Sequence, residues 1–181
     1  GIGSGDSAFG AAGSVSISAG SGFQRAGAGG EGAPVHISAG DVGGQRTGGE
    51  LSMTAGSGAV GGEVLIRSGD GSVGTGGAVL IEAGEGNGIK AGGSVEISGG
   101  VSGSGTGIGG TVSITGGEGV TGSVGGTVTV QGGASNNADG GNLELLSGAS
   151  ERGDSGSVII ASEKVSSRSA SGDISIKSGI A

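Results

Sequence analysis

The sequence predicts an all-β protein, a parallel β-solenoid of about eleven coils with a period near sixteen residues. Three observations predict it. One short phrase recurs along the chain, apolar and polar residues alternate inside each copy, and 52 of the 181 residues are glycine. Together they are typical of short stacked strands separated by tight turns.

The composition excludes the other classes that a glycine-rich chain suggests. Collagen needs glycine at every third position and abundant proline, whereas Pro34 is the one proline here. Aromatic residues make up 1 % of the chain, which is too few for an ordinary layered domain. Disorder is disfavoured because 32 % of the residues are hydrophobic and the mean hydropathy is +0.14.

The repeated unit is an eight-residue phrase, for which GTVSITGG at 110–117 is a clear example. From the first apolar residue of the first copy, Val15, to that of the last, Ile174, there are ten steps averaging about sixteen residues. The eleven phrases occupy 13–20, 33–40, 49–56, 62–69, 77–84, 93–100, 110–117, 126–133, 141–148, 156–163 and 172–179.

Within a phrase the third and fifth residues are apolar, such as Val112 and Ile114, and their neighbours are mostly small or polar. This period of two predicts a half-buried strand. The segments between phrases, in which glycine again alternates, predict turns and a return strand. Coils rising about 4.8 Å each would build a rigid rod on the order of 50 Å long.

The predicted core is thin, with Val and Ile facing Gly and Ala of the return strand, so that the sheets approach more closely than usual. Some apolar residues are expected to face outward, which is compatible with an additional sheet layer. These residues are Leu65, Leu80, Leu146 and Ile159. Arg67 and Glu82 share one place in adjacent coils, which predicts a cross-strand pair contributing about 0.2–1 kcal/mol.

The chain is predicted to be a single repeat domain over residues 1–181. Residues 1–12 form an N-terminal cap or lead-in, the repeats span 13–179, and 161–181 is an atypical C-terminal coil in which charge and serine replace glycine. Phe9 and Phe23 are expected to cover the open end. Because the chain begins at Gly1, it is expected to be a processed product or a piece of a longer protein.

The GGxVxI phrases over 13–179 resemble the glycine-rich tandem-repeat proteins of algal and oomycete genomes and, more loosely, the flat ice-binding β-solenoids of insects. The first resemblance implies an extracellular, surface-associated or structural role. A net charge of −8 disfavours nucleic acid, and no apolar run is long enough for membrane insertion. We therefore expect a non-enzymatic extracellular structural protein that self-associates or binds matrix surfaces.

Two binding alternatives remain open at the level of sequence. Arg152-Gly153-Asp154 spells the integrin-binding tripeptide and predicts an adhesion loop. The second resemblance implies ice binding through a flat face of hydroxyl groups, which charged residues such as Glu96 and Glu144 interrupt on either side. The candidate ice-binding residues, in two successive phrases, are Thr111, Ser113, Thr115, Thr127, Thr129 and Gln131.

No catalytic, cofactor or metal site is predicted. His36, the one histidine, has no expected pocket beside it, and a GxGxxG match at Gly27, Gly29 and Gly32 is a chance expectation in so glycine-rich a chain. Acidic residues follow several phrases, and Asp70 and Glu85 could share a cation. Solvated carboxylates are the preferred interpretation of this acidic set, which consists of Asp41, Asp70, Glu85 and Glu118.

Overall fold

The computed structural model describes residues 2–8, 10–22, 30–103, 105, 107–164 and 170–179. The chain divides into two units, Gly1–Glu82 and Ala83–Ala181. The first unit contains the four phrases from 13 to 69 and most of the fifth. The second contains the end of that phrase and the six that follow. Phe9, Phe23, Gly27 and Gly29 lie outside the described residues.

The predicted β-solenoid is wrong. The described residues contain neither a helix nor a β-strand, and therefore no sheet. Eleven stacked coils, a thin Val/Ile-against-Gly/Ala core and an additional sheet layer are all absent from this part of the chain. Because Arg67 and Glu82 do not lie on paired strands, the cross-strand pair predicted between them is not formed.

The accessible surface shows how little of the chain is covered. It measures 17817 Å², whereas a compact protein of this mass exposes about 7,500 Å² and its extended chain about 24,000 Å². About a quarter of the extended surface is therefore buried, against roughly 70 % in a compact domain of similar size. No described residue is buried, whether apolar or polar.

The composition explains why no core forms. Each repeat supplies two apolar side chains at the third and fifth places, and the segments between phrases consist mainly of glycine and small or polar residues, as in 70–76 and 134–140. Glycine has no side chain with which to cover an apolar neighbour, and it loses more conformational freedom on ordering than any other residue. The prediction that Gly and Ala of a return strand cover the Val and Ile side chains is therefore wrong for the described residues.

The backbone nevertheless has a regular organisation. It passes through every phrase without a bend or turn. Bends and turns fall before the first phrase and in the segments between phrases, which we call loops. Two loops contain hairpin-type turns. Thr121 and Gly122 have φ values of 47° and 83°, and two positive values are typical of a type I′ turn. Gly88 has a φ of 64° and is the first central residue of a turn with the φ signs of type II′. Phrases and loops are thus distinct local structures.

Candidate functional site

Nine of the ten loops are closed at the base by one backbone hydrogen bond within the described residues, and we call this closure a neck. The N–H of a phrase's first residue donates to the carbonyl of the residue that ends the preceding phrase. At the Gly110 neck the N–H donates to the Gly100 carbonyl at 2.8 Å. The described residues contain ten such contacts, counting Gly5 with Gly13: the others join 20 with 33, 40 with 49, 56 with 62, 69 with 77, 84 with 93, 117 with 126, 133 with 141 and 148 with 156.

Where a phrase begins with glycine, the neck distance does not depend on loop length. The Gly56 and Gly62 neck closes the shortest loop at 2.8 Å, and the longer loop between Gly100 and Gly110 closes at the same distance. Because the neck joins the two ends of a loop, residues added or lost inside the loop leave the ends of the neighbouring phrases together.

Close approach explains the glycine at the first place of a phrase. A methyl group on Gly110 would lie 2.8 Å from the backbone nitrogen of Gly100, and one on Gly126 would lie 3.0 Å from that of Gly117. The preceding residue is less restricted, since a methyl on Gly109 would lie 3.7 Å from the Gly100 oxygen. At these two necks the glycine that begins the phrase is restricted more tightly than the glycine before it. The seventh-place glycine is restricted as well, since a methyl on Gly99 would lie against the Gly110 carbonyl oxygen.

A natural exception supports this explanation. Ala33 begins the second phrase, where the other described necks have glycine, and its N–H lies 3.4 Å from the Gly20 carbonyl oxygen. The other necks measure 2.8–3.1 Å. At the end of the chain Glu163 replaces the glycine that closes a phrase, and no neck bond joins it to Gly172 within the described residues.

Most of the half-buried residues lie at the necks. Ala39, Ala55 and Ser68, each at the seventh place of its phrase, are half-buried. A methyl group on Gly62, the first residue of the next phrase, would lie 3.4 Å from the Ala55 Cβ. The small residue at the seventh place therefore has a packing role, because a larger side chain would separate the two sides of the neck.

The apolar faces of the phrases are open to solvent in a regular way. At the third place the exposed fraction lies between 47 % at Val112 and 54 % at Val64 and Leu143. The fifth place is more open, for example 72 % at Ile114. Leu65, Leu80, Leu146 and Ile159, the outward apolar residues, are between 69 % and 84 % exposed.

The adhesion tripeptide lies in a defined turn. The Ser150 hydroxyl oxygen accepts hydrogen bonds from the N–H of Gly153 at 2.8 Å and of Arg152 at 3.4 Å. Residues 151–153 form a bend, and Arg152 and Asp154 are exposed. The preceding loop has the same device, with the Ala138 N–H donating to the Ser135 hydroxyl at 3.0 Å. Two loops thus share a serine-capped turn, and one of them presents Arg-Gly-Asp.

The remaining candidate residues are exposed and not assembled into a site. The ice-binding set lies on the phrases at 110–117 and 126–133, which form no sheet, so the regular spacing expected of an ice plane is not present there. Ice binding stays a prediction. The acidic residues Asp41, Asp70, Glu85 and Glu118 each follow a neck glycine directly. No group of three or more metal-ligating side chains occurs among the described residues, and His36 is exposed.

Comparisons with protein-family models, with curated proteins and with solved structures yield no match. None of the residues that the structure describes belongs to a helix long and apolar enough to cross a membrane.

The neck was missed at the level of sequence. Its signal was the glycine doublet at the start of seven phrases together with the small residue and glycine that end the phrase before, as in Ala55-Gly56 and Gly61-Gly62.

Proposed function

We propose that this chain is a non-enzymatic extracellular structural or surface-associated repeat protein that functions by assembly through its phrases. The observation that carries the proposal is the uniform exposure of the third-place residues, close to half in every phrase. Aliphatic surface repeated in this way gains free energy when it leaves water, about 25 cal/mol for each Å² covered. None of the described residues covers it, which supports a covering surface supplied by another molecule.

The extracellular placement rests on the resemblance to algal and oomycete repeat proteins, and the structural role rests on the phrases. Eleven open phrases on one chain make association multivalent, so that a weak contact at each phrase sums to a stable assembly. The acidic net charge of −8 opposes unspecific collapse of the chains and favours ordered contacts in which charges are matched.

Sedimentation across a concentration series tests assembly directly. The wild-type chain is expected to form large species above a critical concentration. Replacing Val112 and Val128 by Thr keeps their shape but exchanges a methyl for a hydroxyl at two third-place positions. At about 0.8 kcal/mol for each lost apolar group, the critical concentration should rise about fifteen-fold. Ser113→Thr in the same phrase is the matched control and should change it little. A wild-type chain that stays monomeric at every concentration overturns the proposal.

A second candidate function is cell adhesion, and the serine-capped turn at Ser150 is the observation that favours it. A tripeptide held in a turn loses less conformational entropy on binding than a free one. Cell attachment to surfaces coated with the protein is expected to fall when Asp154 is replaced by Ala. Asp139→Ala removes an acid from the equivalent loop and serves as the control. Equal attachment to both variants and the wild type excludes the adhesion function.

A further inference from the structure

The backbone of the phrases has unsatisfied hydrogen-bonding capacity. Within the described residues every backbone–backbone hydrogen bond lies at a neck or in a loop turn, such as the bond from the Ser123 N–H to the Val120 carbonyl. Between its first and last residues, each phrase makes none. An unbent segment with free N–H and C=O groups and alternating apolar side chains is a template for strand pairing with another chain.

We propose that the partner of the phrases is a second copy of this chain, aligned in parallel and displaced by one repeat. This inference rests on the proposed function and names the partner and register of the assembly. A partner strand has to match the apolar third and fifth places of each phrase, and every phrase of a second copy does so. Strand pairing of this kind also brings the exposed aliphatic side chains of the two copies into side-by-side contact, which covers part of each.

Charge decides the register. If two copies paired in exact register, each charged residue of a phrase would lie beside the same residue of the other copy. Like charges would then be in contact, which is destabilising. Eight charged residues lie between the second and seventh places of the phrases and would meet this repulsion: Glu50, Glu63, Arg67, Glu82, Glu96, Glu144, Asp173 and Lys177.

Displacement by one repeat removes almost all of this repulsion. Arg67 then lies opposite Glu82 of the other copy, because both occupy the sixth place of adjacent phrases. Glu50 opposite Glu63 is the one like-charge contact that remains at matching places. In two later phrases Thr111 lies opposite Thr127, a pairing that strands tolerate well. The displaced register is therefore favoured over the exact one.

The necks make a displaced register possible. Loops differ in length, so a simple extended chain shifted by one repeat would lose its alignment at the first loop of a different length. The necks at Gly62 and Gly110 close a short and a long loop with the same 2.8 Å contact. The end of one phrase and the start of the next are therefore equally close for a short loop and a long one. A displaced pairing also leaves a free phrase on each copy, so that growth is open-ended and does not stop at a dimer.

Charge reversal at the two facing residues tests the register. Each single variant, Arg67→Glu or Glu82→Arg, replaces an opposite-charge contact by a like-charge contact. Assembly is measured at low ionic strength, where such contacts are least screened. Each should raise the critical concentration for assembly about two- to thirty-fold, from the strength of cross-strand charge pairs. The double variant R67E/E82R restores the opposite pair and should return the critical concentration to the wild-type value. The matched controls Arg46→Glu and Glu85→Arg make the same charge changes in loops and should have little effect.

The outcomes separate this inference from the proposed function. If the wild type assembles and all three variants assemble equally well, the chains pair in another register, and the displaced pairing is wrong although assembly stands. If the single variants assemble poorly and the double variant is not rescued, Arg67 and Glu82 do not face each other and the displaced pairing is again wrong. If the wild type does not assemble at all, both proposals fail.

Discussion

Replacing Gly110 by Ala should open one neck without affecting the rest of the chain. The added methyl would lie 2.8 Å from the Gly100 nitrogen, whereas ordinary contacts of this kind begin near 3.4 Å, so the two sides have to separate by about 0.6 Å. The neck at Ala33 shows the same change, with an N···O distance of 3.4 Å against 2.8 Å at Gly110. At 3.4 Å the hydrogen bond is weak.

The expected loss is most of one hydrogen bond, about 0.5–1.5 kcal/mol. This corresponds to a roughly two- to thirteen-fold lower ratio of closed to open neck. Amide hydrogen exchange measured by NMR at residue 110 should accelerate by the same factor. Gly109→Ala is the matched control, because its methyl would lie 3.7 Å from the Gly100 oxygen. There the neck should stay closed, with about 0.4–1 kcal/mol gained from reduced freedom of the open chain.

Equal exchange rates at residue 110 in the wild type and in Gly110→Ala would refute this reasoning. So would equal acceleration in both alanine variants, because it would show that any lost glycine loosens the loop. In either case the glycine doublets would serve flexibility alone, and the close approach at the second glycine would have no role.

Three further changes test the loops. Ser150→Ala removes the acceptor of the Gly153 N–H, so the amide exchange of Gly153 should rise about two- to thirteen-fold; an unchanged rate would show that the serine does not hold the turn. Thr121→Asn places a residue that tolerates positive φ at the first position of the type I′ turn, and should relieve about 1 kcal/mol of strain, seen as slower exchange at Ser123. Inserting Gly-Ser after Gly103 should change the critical concentration for assembly less than about two-fold, because the neck at Gly110 keeps the insertion outside the phrase; a large change would show that loop length sets the register.

The sequence predicted where the local structures begin and end. The phrase boundaries inferred from the alternation of Val112 and Ile114 coincide with the necks at Gly110 and at Gly117 and Gly126. Sequence sufficed for these boundaries because small residues at fixed places constrain local contacts directly. The close approach predicted for glycine was between two sheets and is wrong, because the glycines that begin phrases approach the other end of a loop instead.

The fold class could not be predicted in the same way. A period of two at Val112 and Ile114 indicates that a segment is suited to strand pairing, but it contains no information on which segment supplies the hydrogen bonds. Stacking within one chain was assumed for the β-solenoid, and the described residues show no such pairing. The turn at Arg152 was recognised by its letters alone, and its hydrogen bonds to Ser150 depend on loop geometry that a tripeptide motif does not contain.

The most direct test of the central claim, that the phrases pair between copies and not within one chain, is far-ultraviolet circular dichroism along a dilution series. Sedimentation on the same samples gives the mass of the species present. The β signal should be absent from the dilute monomer and should appear together with the large species as concentration rises. A β signal of constant strength in a chain that sedimentation shows to be monomeric would contradict the account, because the sheet would then lie within a single chain.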